Sequence, residues 1–131
     1  MEKNPRPPYE AWLVIDKDHW TGVQIDELAK WVDHHGNRGL AVSNPKFEFW
    51  LLLHFEMGND VHTSRECTIR LQRYLDDFSK HIDPRAITLF GIETAIQHAK
   101  LRDNPPCSDW PHDSGSTTVY RLVERMIVDE G

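Results

Sequence analysis

The sequence predicts an α/β fold: a partial parallel sheet with flanking helices, followed by a helical C-terminal half. Three observations predict it. Residues 11–15 (AWLVI) and 39–43 (GLAVS) are short apolar runs between polar segments, the pattern of strands buried in a parallel sheet. Each run leads through a short link into a helical pattern, and strand–helix repetition of this kind builds parallel sheets through crossover connections. From residue 64 onward the apolar residues recur mainly at helical spacing.

Taken in order, residues 1–9 (MEKNPRPPY) read as an extended lead-in, because three prolines there remove backbone donors. The first strand, 11–15, ends at Asp16. A helix over 26–35 places Ile25, Leu28, Ala29 and Val32 on one face, and Gly36 stops it. The second strand, 39–43, follows. Pro45 opens the next helix, where its missing donor costs nothing, and Ser43 or Asn44 can cap it. That helix, 45–56 (PKFEFWLLLHFE), is apolar on every side and therefore buried.

Thr63 or Ser64 caps a helix over 64–78, with Ile69, Tyr74 and Leu75 among its apolar positions. Asp83-Pro84 starts another that runs to Arg102, with Ile87, Phe90, Ala95 and Ala99 facing inward. Residues 103–115 (DNPPCSDWPHDSG) are a loop by composition. Ser116-Thr117 then caps a last helix carrying Val119, Leu122, Val123 and Met126. Two strands alone make a poor sheet, so further strands are expected from elsewhere in the protein or from a second copy.

The 131 residues form one domain, with 39% apolar and 27% charged residues, both ordinary for a globular chain. A net charge of −6 excludes a broad basic face for a polyanion. Contact with nucleic acid then needs a metal ion or a partner chain to offset the phosphate charge. The longest apolar run, 49–53, is too short to span a membrane. With no signal peptide pattern at the start, the reading is a cytoplasmic protein without membrane attachment. Cys67 and Cys107 belong to no C-x-x-C pair, and Cys67 reads as a small buried hydrophobe.

The first chemical signal is Asp16-Lys17-Asp18, directly after the first strand. Functional groups gather beyond the carboxyl ends of the strands in such sheets. Side chains two apart on an extended chain point the same way. Two carboxylates there can share a hard cation such as magnesium or manganese; the plainer reading is a solvated turn or a cap for the following helix. The second signal is Glu48, an acid in the first turn of an otherwise apolar helix that starts at the same sheet edge. It reads as a third metal ligand, as a support for the Asp16–Asp18 loop, or as a carboxylate satisfying free amides of its own turn.

His54 reads as a hydrogen-bonded core histidine, and Phe47, Phe49 and Trp50 as core packing. His34, His35, His62 and Cys67 match no zinc spacing. Lys17, His19 and Lys46 are the nearby cations able to meet a phosphate, with solvated side chains as the plainer reading.

The run 43–55, SNPKFEFWLLLHF, resembles the signature of the RloB-like family, S-N-P-x-F-E-x-W-L-L-L-H-F after a strand ending in D-x-D. Ala95, Ala99 and the stretch 116–123 (STTVYRLV) also look like that family, so the resemblance covers nearly all of the chain. It implies a Toprim-like fold, similar to that of topoisomerases, primases and the nuclease part of OLD proteins. It implies metal-dependent cleavage of nucleic acid in bacterial defence against phage, with an ABC- or SMC-type ATPase as partner and Asp16 and Asp18 as metal ligands, beside which Glu48 would serve as ligand or support. The alternative it leaves is an inactive Toprim-like module that docks such an ATPase, alone or as a homo-oligomer. Toprim domains also carry an earlier strand and turn with an E-G-x-x-E-like glutamate. Glu2 and Glu10 sit in no such motif, so the domain is expected to lack that segment.

Overall fold

The computed structural model describes residues 10–76 and 82–130. The lead-in 1–9 and the expected helix end at Phe78 lie outside them. The elements are β1 (Ala11–Asp16), α1 (Gly22–Asp33), β2 (Arg38–Asn44), α2 (Glu48–Leu52), α3 (Ser64–Leu71), α4 (Leu89–Arg102), β3 (Ser116–Thr117) and α5 (Val119–Glu130), with single 3-10 turns at Lys17–His19 and Pro84–Ala86. The fold is mixed α/β: a three-stranded sheet in the order β1-β2-β3, flanked by helices.

β1 and β2 run parallel, from Ala11 opposite Arg38 to Asp16 opposite Ser43. β2 is the central strand and is buried from Gly39 to Asn44. Its alternation feeds two cores. Leu40 and Val42 pack with Ile25 and Trp110 on the α1 side. Ala41 joins the larger cluster with Phe49 to Leu53, Cys67, Leu71, Ala95, Ala99 and Tyr120. Gly39 is required by close approach, since a Cβ there would lie 2.4 Å from the Trp12 ring. β1 is less buried than its composition predicts. Val14 is 45% exposed, because β1 is the edge strand and shares its ladder only with β2 among the described residues.

The third strand comes from the chain itself. Ser116 and Thr117, expected only as a helix cap, pair antiparallel with Asn44 and Ser43. The Ser43 and Thr117 hydroxyls meet at 2.7 Å in the buried seam, and Thr117 Oγ1 still accepts the Val119 N–H at the start of α5. Other boundaries shift for local reasons. α1 begins at Gly22, four residues before the expected start, because Thr21 and Gln24 form a reciprocal capping box. α3 begins as expected, with a Thr63–Glu66 box, but ends at Leu71. Residues 83–102 are two pieces, since Thr88 caps α4 through Gly91 N–H. That break leaves Phe90 77% exposed, against the inward position expected for it. Ile69, Tyr74 and Met126 are likewise exposed; Tyr74 stacks on Phe55 and donates to Glu56.

The buried segment around α2 is shorter than the pattern predicts. α2 covers only Glu48–Leu52. Beyond it His54 N–H and Phe55 N–H bond back three residues, to Leu51 and Leu52 carbonyls, which tightens the chain into turns. Ser43 and Asn44 do not cap α2, because both belong to β2. Burial on all sides does hold: Phe49 to His54 are all buried.

His54 Nδ1 lies 3.0 Å from the Trp50 carbonyl and 3.1 Å from that of Leu51, so it donates. Burial pushes its pKa below the ordinary histidine value of 6.5, and these two carbonyls only partly oppose that. The folded state therefore favours neutral His54. Below a pH of about 6.5 the unfolded chain takes up a proton that the folded chain resists, so stability falls as pH falls. Urea unfolding at neutral pH and at mildly acidic pH should show this loss reduced in His54→Gln. An identical loss in both proteins would contradict the assignment.

Candidate functional site

The carboxyl ends of β1 and β2 lie side by side, with Asp16 opposite Ser43. Two hydrogen bonds tie the chain leaving β1 to the chain leaving β2. Asp18 N–H donates to the Pro45 carbonyl at 3.0 Å, and Phe47 N–H donates to Asp16 Oδ1 at 2.9 Å. Phe47 is the residue that precedes α2, and no side chain of its own segment caps that helix. Asp16 thus supplies, from another strand, an acceptor at the start of α2.

The three sequence-predicted acids take different positions. Asp16 is the last residue of β1 and half-buried. Its second oxygen lies 3.7 Å from Nδ1 of the exposed His19. Asp18 is exposed and sits in the 3-10 turn Lys17–His19. The chain is not extended between the two aspartates, so the alternation argument for their shared direction does not apply; the turn sets their geometry instead. Asp18 is not a cap for α1, a role taken by Thr21. Glu48 is the half-buried first residue of α2. Among the described residues no hydrogen bond or ion pair engages the side chain of Asp18 or of Glu48. The Asp16–Asp18 loop is held by Asp18 N–H donating to the Pro45 carbonyl, and no hydrogen bond or ion pair of Glu48 among the described residues supports it.

The three acids lie on the two chain segments that leave β1 and β2. The Cys67 thiol on α3 is fully buried and its pKa is pushed up to about 12, first by burial. Glu48, Asp16 and Asp18 each push it further up, while Lys46 acts in the opposite sense. Cys67 itself is a packing residue with no thiolate character. Lys46 is not the solvated side chain it resembles in sequence: it is half-buried, with Nζ 2.5 Å from Thr68 Oγ1.

Among the described residues no group of three or more His, Cys, Asp and Glu side chains is arranged to hold a metal ion. Magnesium is commonly held by one or two carboxylates, with water and substrate phosphate completing its shell. The Asp18 and Glu48 side chains are engaged by no hydrogen bond or ion pair among the described residues, and Asp16 keeps one oxygen outside its bond to Phe47.

Residues 2–126 match the family model described as RloB-like protein. The chain belongs to the RloB-like family. No curated protein and no solved structure matches it significantly. The RloB-like match takes in the acidic edge, β3 and α5 as far as residue 126. Among the described residues no helix is long and apolar enough to cross a membrane.

That second stretch holds a network that sequence reading missed. Asp103, buried at the end of α4, accepts from Tyr120 Oη at 2.6 Å, Arg121 Nη2 at 3.0 Å and Cys107 N–H at 3.0 Å. Arg121 also donates to the Cys107 carbonyl at 2.7 Å. The network fixes the loop 103–115 against α5 and so holds β3 beside β2. Asp103 looks in sequence like any loop acid; its side-chain partners Tyr120 and Arg121 lie 17 and 18 residues away along the chain. Glu10, outside any E-G-x-x-E segment, accepts from Trp12 Nε1 at 3.1 Å and from Arg125 Nε at 2.7 Å.

Proposed function

We propose that this RloB-like chain is the core of a magnesium-dependent nuclease that hydrolyses phosphodiester bonds of DNA or RNA, acting in the cytoplasm in bacterial anti-phage defence. The observation that carries the reading is that the acid-bearing turn after β1 is tied to the start of α2 by the Asp18 N–H to Pro45 and Phe47 N–H to Asp16 bonds, with the Asp18 and Glu48 side chains unspent on the protein among the described residues. In this reading Asp18 and Glu48 hold the ion directly. Asp16 adds the charge of Oδ2, which lies 3.7 Å from His19 Nδ1, while Oδ1 fixes the start of α2. When bound, magnesium (or manganese) polarises the scissile phosphate and lowers the pKa of an attacking water. The sheet edge fits a Toprim-like arrangement, in which acids beyond parallel strands meet the substrate backbone.

A second reading is an inactive Toprim-like module that docks an ABC- or SMC-type ATPase. Two observations favour it: the net charge of −6, and the engagement of Glu10 with Arg125 and Trp12, which keeps that glutamate from serving as a free acid or base. Labelled DNA and RNA incubated with the full chain separate the two. Cleavage of either in magnesium or manganese, abolished by EDTA, is the expected result. Intact substrates with a folded protein in both metals would favour the docking module.

A further inference from the structure

Lys46 lies between the end of β2 and the first residue of α2, at the edge that carries the three acids. An ammonium has three N–H donors and needs counter-charge or water when it leaves bulk solvent. Here Thr68 Oγ1 on α3 takes one donor. Among the described residues Lys46 has no ion-pair partner. A neutral donor would satisfy the Thr68 hydroxyl equally well, so that bond does not explain a positive charge. The bond does fix the ammonium in place, and a cation already held loses less side-chain freedom on meeting an anion.

The acidic edge repels a nucleic-acid backbone unless positive charge is placed beside it. We propose that Lys46, held by Thr68, binds a non-bridging oxygen of the phosphodiester on which the carboxylate site acts. The proposal rests on the nuclease reading for its substrate class, and it makes Lys46 a substrate-binding residue and Thr68 a positioning residue.

The test uses the full chain with short fluorescein-labelled DNA and RNA strands. Binding is read by anisotropy in calcium, a hard oxygen-seeking cation, beside the manganese affinity of the same protein. Lys46→Met keeps the apolar stem and removes the charge. It should weaken strand binding about tenfold or more and leave manganese affinity unchanged or tighter, since a neighbouring positive charge is gone. Lys46→Arg should restore most of the binding. Thr68→Val should weaken it by a smaller factor. Equal binding by wild type and Lys46→Met, or no strand binding by wild type, overturns the proposal. A parallel loss of strand and manganese binding in Lys46→Met overturns it as well, because the site has then collapsed. Binding that depends on Lys46 without cleavage in magnesium leaves the proposal standing and overturns the nuclease reading alone.

Discussion

Trp50→Ala should lower stability by about 3–5 kcal/mol, the range for truncating a large aromatic in a core. Trp50 is 5% exposed and lies within the cluster formed by Phe49, Leu51, Leu52 and Leu53. Its ring meets His54 edge-on, with centroids 5.2 Å apart. Removing the indole leaves a cavity beneath the central strand and deprives His54 of its packing partner. In a chain of this length each kcal/mol lowers the melting temperature by about 4 °C, so thermal melts should drop by roughly 10–20 °C. Trp50→Phe should recover much of that. A melt almost unmoved by Trp50→Ala would mean that the segment around α2 does not pack where it is described, and the placement of Glu48 would fall with it.

Asp18→Ala should have the opposite profile, with little change in stability and a large loss of activity. The Asp18 side chain is exposed and makes no hydrogen bond or ion pair among the described residues, so truncation removes no structural contact. A metal ion contributes several kcal/mol to a developing phosphoryl charge. Losing a direct ligand should therefore lower metal-dependent cleavage by about a hundredfold or more. Asp16 behaves differently, because one of its oxygens receives Phe47 N–H. Asp16→Asn keeps an acceptor for that bond and should retain the fold while weakening metal binding. Asp16→Ala should lose both. On the proposed reading, the contrast between the two aspartates separates a residue that would only hold metal from one that also builds the site.

Much of this architecture is legible in the sequence. Continuous apolar runs give β1 and β2, and the acids stand out because a charged pair directly follows such a run. The parts that stay hidden depend on tertiary partners. β3 is two residues long and exists through its register with β2 and the Ser43–Thr117 hydroxyl pair. Periodicity carries no signal for so short a strand. α1 starts early because of the Thr21–Gln24 box, whose cap, Thr21, sits between Trp20 and Gly22 in what reads as a loop. The anchoring of Lys46 by Thr68 spans 22 residues, and the Asp103–Tyr120–Arg121 network closes only when α4 and α5 meet. In the site, the three acids were legible as candidates. That Asp16 spends an oxygen on the start of α2, leaving Asp18 and Glu48 unspent, was not.

The central claim is that the acidic edge of this RloB-like chain holds a divalent cation. Manganese titration followed by paramagnetic broadening tests it most directly, since broadening falls off with distance and reports where the ion sits. The account predicts broadening centred on the 3-10 turn Lys17–His19 and the start of α2 in the wild type, and its loss in the Asp16→Ala/Asp18→Ala double variant. Equal responses of the two proteins to manganese would contradict it.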